Sequence, residues 1–155
     1  TGSKPPPVKD GAVESNSSGT QPEIQANVPG SVGTISINTS NGPVSYSIEI
    51  AETDEQRRIG LMNRESIPEN YGMWFIFPQT VQEKFWMKDT LISLDLIYVD
   101  DTNKIVHIIE NAVKESTELL SSPIPFKYVL EVNAGQVAKH GIKVGETVEK
   151  RIGPK

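Results

Sequence analysis

Short apolar runs separated by turn-forming residues recur from about residue 31 onward, and this spacing limits the folds that the chain can adopt. The runs at 33–37 and 44–50 flank Asn41-Gly42-Pro43, which predicts a β-hairpin. Further runs predict strands at 73–77, 81–87, 94–99, 104–109 and 127–132, with a short last strand after a turn at 142–147. The strands are separated by short turns, so we expect no crossover helices of the kind that a parallel sheet requires. We therefore expect an α+β fold, mainly antiparallel β, with a compact barrel-like or clip-like sheet and two short helices.

The two helices are predicted where the strand pattern breaks. Thr53 and Gln56 have the spacing of a capping box, and two carboxylates follow Thr53 at the positive end of the helix dipole. This helix is expected to stop near Asn63. Asn133 is expected to cap a second short helix that ends at Gly141.

Residues 1–30 have a different composition, rich in Ser, Gly, Pro, Asn, Gln and Thr. Burial of the few apolar residues in this stretch cannot offset the entropy cost of ordering it. We therefore expect a disordered tail or tether at 1–30, followed by a single mostly-β domain at 31–155. A tail of this kind without an initial Met is typical of an exported protein. It predicts an extracytoplasmic location, periplasmic or at the cell surface, and an N-terminal lipid anchor would fit the same tether. An ordinary disordered N-terminus is the alternative.

Charge and cysteine content exclude several classes of function. The chain has 15 basic and 20 acidic residues, a net charge of -5, which disfavours nucleic acid as a partner. It has no cysteine, so disulfides and thiolate metal sites are excluded. His107 and His140 are far apart in the sequence and fit structural or surface roles better than a metal site. No apolar run approaches the roughly 18 residues of a transmembrane helix.

Four blocks of the sequence resemble one known family. They read GLMNR at 60–64, GMWFIF at 72–77, FWMKDTLISLD at 85–95 and VLEVNAG at 129–135. Their order, over roughly residues 32–152, resembles the domain of unknown function 192 family of bacterial and archaeal proteins. The resemblance implies a small mostly-β domain, often exported, and implies no reaction. One departure is Asp89, where the family commonly carries Asn.

The stretch at 84–100, KFWMKDTLISLDLIYVD, is more polar than a strand that only fills a core. Strand alternation places Trp86 and Lys88 on one face and Phe85, Met87 and Asp89 on the other. Trp86 is either a core residue or a platform on which a sugar or another flat ligand stacks. Lys88 is either a surface lysine or a contact for an anionic ligand.

Asp95 and Glu131 are carboxylates within apolar strands, so burial of either requires a charged or multiply hydrogen-bonded partner. Arg64 or Lys88 could supply the charge, and backbone amides of the turn at 90–93 could supply hydrogen bonds. The result is either a polar network that fixes strand register or a shallow ligand site. The candidate ligand-binding residues are Arg64, Trp86, Lys88, Thr90, Asp95, Glu131 and Asn133.

The sequence contains no nucleophile-and-base pair, metal-ligand cluster or phosphate loop, so we assign no catalytic residue and expect no cofactor. We expect a non-catalytic extracytoplasmic binding or accessory module for a small ligand, a glycan or an envelope protein. The first alternative is a hydrolase of envelope carbohydrate, with Asp95 and Glu131 as paired carboxylates. The second is a purely structural domain.

Overall fold

The structure of the protein is a computed structural model that describes residues 2–3 and 32–152. Of the predicted tail, Gly2 and Ser3 are described, and the rest of residues 1–30 lies outside the described residues. The elements in chain order are β1 (Gly2–Ser3), β2 (Val32–Thr39), β3 (Gly42–Ala51), α1 (Asp54–Ile59), β4 (Tyr71–Val81), β5 (Phe85–Trp86), β6 (Leu94–Val99), β7 (Ile105–Ala112), β8 (Phe126–Asn133), α2 (Gln136–His140) and β9 (Val148–Ile152). In these ranges no helix is long and apolar enough to cross a membrane.

Seven of the strands form one sheet in the order β7-β6-β8-β4-β3-β2-β9, while β1 pairs with β5 in a separate two-stranded sheet. The large sheet is antiparallel except for β3 and β4, which run parallel. A parallel pair requires a crossover connection, and α1 lies within it. The mainly antiparallel α+β architecture with two short helices is confirmed, and the one parallel pair departs from the expected absence of crossover helices.

The barrel-like detail of the prediction is not confirmed. The two edge strands of the large sheet approach each other at one end, where Lys104 and Thr147 form an isolated bridge. Ile105 N donates to Glu146 O at 2.9 Å beside this bridge. No ladder joins β7 to β9 within the described residues, so the sheet is curled but not closed.

The sheet separates two apolar cores because alternate residues of a strand face opposite sides. On β4, Trp74 joins one core while Phe75 and Phe77 join the other. The inner core, which we name for its position within the curl, gathers residues from both edges of the sheet, including Ile105 and Val148. The outer core, on the opposite face, is rich in aromatic rings that meet edge to face, the arrangement that aromatic quadrupoles favour.

Local signals at the ends of α1 are partly confirmed. Thr53 Oγ1 accepts from Gln56 N at 3.1 Å, and Gln56 Oε1 accepts from Thr53 N at 3.1 Å, which completes the predicted capping box. The helix ends at Ile59, earlier than predicted, because Gly60 adopts a φ of 51° that does not continue a helix. The strand predicted at 81–87 is also shorter, since β4 runs through Val81 and only Phe85–Trp86 follows as a strand.

Candidate functional site

Arg64 follows α1 in the chain and forms an ion pair with Glu49 of β3. Arg64 Nη1 donates to Glu49 Oε2 at 2.5 Å, and Nη2 donates to Oε1 at 2.8 Å. This two-pronged contact is the geometry that a guanidinium and a carboxylate favour. The Tyr71 hydroxyl donates to the same carboxylate. The carboxylate partner of Arg64 is therefore Glu49 rather than Asp95.

The electrostatics of this cluster depend on the charge of Glu49. Burial raises the pKa of Glu49, but hydrogen bonds from Arg64 and Tyr71 outweigh it, so the pKa lies below its ordinary value. Burial and the hydrogen bond to Glu49 raise the pKa of the Tyr71 hydroxyl. The cluster is thus a stable ion pair with a neutral phenol as an additional donor.

Asp95 is fully buried and satisfied by backbone amides from two separate segments. Asn111 N donates to Oδ1 at 2.8 Å, while Gly135 N and Val137 N donate to Oδ2 at 3.1 and 2.9 Å. Gly135 and Val137 lie at the start of α2, so Asp95 supplies the cap of that helix from a neighbouring strand. Among the described residues, the donors to Asp95 are thus neither the expected charges of Lys88 or Arg64 nor the amides of the turn at 90–93.

Asn133 and Thr90 also serve the fold. Asn133 Nδ2 donates to the carbonyls of Ile67 and Pro68 at 3.1 and 3.2 Å, which holds the connection before β4. The prediction that Asn133 caps α2 is wrong, because Gly135 occupies the cap position. Thr90 is fully buried, and its hydroxyl donates to the Lys88 carbonyl at 3.2 Å.

Glu131 is fully buried on the outer-core side of the sheet. It lies opposite Met73 of β4 and Leu96 of β6, which are both in the outer core. Burial, with the charge of Glu131 as a second cause, raises the pKa of the Tyr98 hydroxyl. Asp95 lies opposite Val132 of the inner core, so the two carboxylates face opposite sides of the sheet.

Trp86 and Lys88 lie together at the surface, as strand alternation predicts. Asp89, predicted on the face of Phe85 and Met87, is instead exposed beside Lys88, because the strand ends at Trp86 and a turn follows. The neighbouring Phe85 and Met87 are buried in the outer core. Lys88 Nζ lies 6.0 Å from the centre of the Trp86 ring and 3.0 Å from Asp89 Oδ2, and its side chain is 47% exposed. We name the surface formed by Trp86, Lys88 and Asp89 the Trp86 ledge.

The two sides of β5 have different neighbours. Phe85 exchanges both backbone hydrogen bonds with Leu120, at 2.8 and 2.7 Å. On the other side β1 runs antiparallel, with Gly2 opposite Trp86 and Ser3 opposite Phe85. Sequence reasoning missed this contact, since Gly2 and Ser3 carry no strand signal and lie far from β5 in the sequence.

Sequence reasoning also missed an open pocket beside α2, with a volume of about 430 Å³. Tyr46 donates to Gln136 Oε1 at 2.9 Å, and Gln136 donates to Glu69 Oε2 at 3.3 Å. Lys139 forms an ion pair with Glu69, and this contact lowers the pKa of Glu69. The polar groups of these residues bind one another across three separate segments of the chain. No short sequence motif reveals such an arrangement. No group of His, Asp or Glu residues in the described ranges could hold a metal ion.

These observations define a class of protein: a small α+β domain with a curled sheet, structural carboxylates and a surface ledge formed by Trp86, Lys88 and Asp89. The chain belongs to the DUF192 family, described as "Uncharacterized ACR, COG1430", whose sequence profile matches residues 36–150. The resemblance in the four sequence blocks is thereby confirmed. No curated protein matches the sequence.

Two crystal structures are similar to this chain. One, from Sinorhizobium meliloti, is described provisionally as a transcription regulator; it shares 34% identity at a TM-score of 0.77, covering 80% of this chain and 97% of its own. The other, a protein of unknown function from Novosphingobium aromaticivorans, shares 30% identity at a TM-score of 0.75, covering 85% and 99%. Both likenesses extend over nearly the whole of the relatives' chains.

Proposed function

We propose that this protein is a non-catalytic binding module that works outside the cytoplasm, with the Trp86 ledge as its binding surface. One observation carries the proposal. Trp86 and Lys88 lie side by side with part of each side chain exposed, whereas Thr90, Asp95 and Glu131 are buried, and Arg64 and Asn133 bind groups within the fold. A half-buried indole beside a cation offers both stacking and charge to a ligand.

The positions of the carboxylates argue against the hydrolase alternative. Glycosidases that use two carboxylates place both beside the bond that is cleaved. Asp95 and Glu131 face opposite sides of the sheet, and three backbone amides occupy Asp95. A binding role is therefore better supported than carbohydrate hydrolysis.

The net charge argues against a nucleic-acid partner, although one relative is described provisionally as a transcription regulator. A charge of -5 repels a phosphate backbone, and binding to it depends on many basic contacts. A glycan, a small ligand or an envelope protein fits this chain better.

The extracytoplasmic location is supported by the composition of residues 1–30. Fractionation of cells that express the complete gene, with detection by an antibody against the sheet domain, tests it. We expect the protein with the envelope markers. Its recovery only with cytoplasmic markers would contradict the location.

The binding function is tested by titrating soluble envelope glycan fragments and short peptides while recording Trp fluorescence and the unfolding temperature. We expect at least one probe to bind the natural chain and the Lys143→Ala control, and to bind Trp86→Ala and Lys88→Ala at least about tenfold more weakly. Lys143 is an exposed lysine next to Ile142 of the inner core, whereas Phe85 and Met87 beside the ledge belong to the outer core. Binding that is equal in all four proteins would exclude the ledge as the site.

A further inference from the structure

We propose that the open pocket beside α2 is a second binding site, and that it binds a small neutral ligand rich in hydroxyl groups, such as a monosaccharide. The pocket volume of about 430 Å³ lies within the roughly 300–1,000 Å³ of small-molecule sites. Six of its lining residues are polar and carry the argument: Tyr46, Glu69, Asn70, Gln136, Lys139 and His140. None of the described lining residues belongs to the Trp86 ledge, so this inference goes beyond the function proposed for the ledge.

A buried chain of hydrogen bonds forms the base of the pocket. Tyr46 is 1% exposed and Gln136 is 6% exposed. The Tyr46 hydroxyl donates to Gln136 Oε1 at 2.9 Å, and Gln136 Nε2 donates to Glu69 Oε2 at 3.3 Å. Gln136 is the first residue of α2, whose start is fixed by the Asp95 carboxylate. Glu69 is therefore oriented from the core, and a binding group held in this way is organised before a ligand arrives.

Three side chains of the pocket have hydrogen-bonding capacity that the described residues leave unused. Glu69 receives the hydrogen bonds of Gln136 and Lys139 on Oε2, so its Oε1 accepts none from this part of the chain. The Asn70 amide and the His140 imidazole likewise make no hydrogen bond with the described residues. A carboxylate oxygen, an amide and an imidazole together offer acceptors and donors. A hydroxyl group uses both kinds of partner, because its oxygen accepts while its hydrogen is donated.

The charges in the pocket favour a ligand without net charge. Glu69 and Lys139 form an ion pair at its wall. An anion that approaches Lys139 also approaches the Glu69 carboxylate, and a cation at Glu69 meets the Lys139 ammonium group. A neutral ligand meets neither repulsion. It binds at the unused atoms and leaves the ion pair in place.

One part of the lining is apolar. Val44 is only partly buried against the inner core, and it also lines the pocket. A sugar ring carries hydroxyl groups at its edge and C–H groups on its faces, so it can bind polar groups and cover apolar surface at the same time. A small inorganic ion has no such face. The lining therefore fits a sugar better than an ion.

The test is an NMR titration of the isotope-labelled full chain with glucose, galactose and N-acetylglucosamine, each at up to about 100 mM so that weak binding is detected. We expect at least one of these sugars to cause saturable shifts in the backbone amide signals of residues 44–46, 69–70 and 136–140. If none of the three sugars shifts these signals in a saturable manner, the proposal is overturned.

Asn70→Ala is the most direct variant, because the Asn70 side chain is exposed and makes no hydrogen bond with the described residues. We expect it to bind the sugar at least about tenfold more weakly, with an unchanged unfolding temperature. Gln79→Ala is the matched control, since it removes an exposed amide near the other end of β4, and it should bind like the natural chain. Equal binding by the two variants would overturn the site.

Charged sugars test the ligand class. Glucuronate carries a negative charge and glucosamine a positive charge, and neither should bind more tightly than glucose. Tighter binding by either one would overturn the preference for a neutral ligand.

The variant Lys88→Ala separates this pocket from the Trp86 ledge. It should bind the sugar as tightly as the natural chain does, because Lys88 does not line the pocket. If Lys88→Ala loses the sugar while Asn70→Ala retains it, the sugar binds at the ledge. That result would overturn the second site and would leave the binding function proposed for the ledge standing.

Discussion

Asp95 and Glu131 lie on neighbouring strands and point to opposite faces of the sheet. Asp95 is paired in register with Val132, and Leu96 with Glu131, so one carboxylate faces the inner core and the other the outer core. Each therefore has a separate task. Asp95 joins β6 to the start of α2. Glu131 lies near Tyr98, where burial and then the charge of Glu131 raise the pKa of the Tyr98 hydroxyl.

Asp95→Ala is expected to destabilise the protein by about 3 kcal/mol or more, because it leaves buried backbone amides without their acceptor. The amides affected are those of Asn111, Gly135 and Val137. Chemical denaturation followed by circular dichroism measures the change. The exposed Asp101 provides the control: Asp101→Ala should alter the free energy of unfolding by about 0.5 kcal/mol or less. Equal stability of the two variants would contradict the capping role.

Acidification is expected to weaken the Glu49–Arg64 pair. The pKa of Glu49 is lower in the folded protein than in the unfolded chain, so its contribution to stability is present above about pH 4.3 and is lost as the pH falls through the folded pKa. Glu49→Gln should be less stable than the natural chain at pH 7, and the difference should shrink toward pH 3. Denaturation curves at several pH values measure it.

Glu118→Gln, at an exposed position, is the control for that experiment. It should follow the natural chain at every pH. A constant difference between Glu49→Gln and the natural chain from pH 7 to pH 3 would show that the ion pair does not contribute through the charge of Glu49.

Asp89 lies in a turn whose backbone conformation suits Asn as well as Asp. Asp89 has a φ of 56°, in the left-handed region that Asn and Asp tolerate better than other side chains. Asp89→Asn should change the free energy of unfolding by about 0.5 kcal/mol or less, since the exposed contact with Lys88 contributes little. Asp89→Val should cost about 1–2 kcal/mol. Thermal unfolding of both variants tests the argument, which fails if valine is tolerated as well as asparagine.

Gly72 is required by the close approach of β4 and β8. A Cβ at this position would lie 2.5 Å from the Glu131 carbonyl oxygen and 3.0 Å from a methyl group of Val132. Gly72→Ala is therefore expected to destabilise the protein by about 1–3 kcal/mol, because the two strands must separate. The measurement is the denaturation midpoint, and an unchanged midpoint would contradict the close packing.

Several features of the fold and site follow from local sequence. The capping box of Thr53 and Gln56 is a short-range pattern, and the structure confirms it. The burial of Phe85 and the exposure of part of Trp86 follow from the two-residue period of a strand, which fails at Asp89 because β5 ends at Trp86. Such features depend on neighbours within a few residues, so they can be predicted without knowledge of the sheet.

The amino-acid sequence thus determined the type of fold, the family, and the need of Asp95 for strong partners. Only the tertiary structure decided which groups serve as partners: Asp95 receives amides from residues 16, 40 and 42 positions away. It also decided the open sheet and the position of Gly2 against α1. The physical reason is that propensity and periodicity act along the chain, whereas strand order, burial and steric contact depend on segments that meet only after folding.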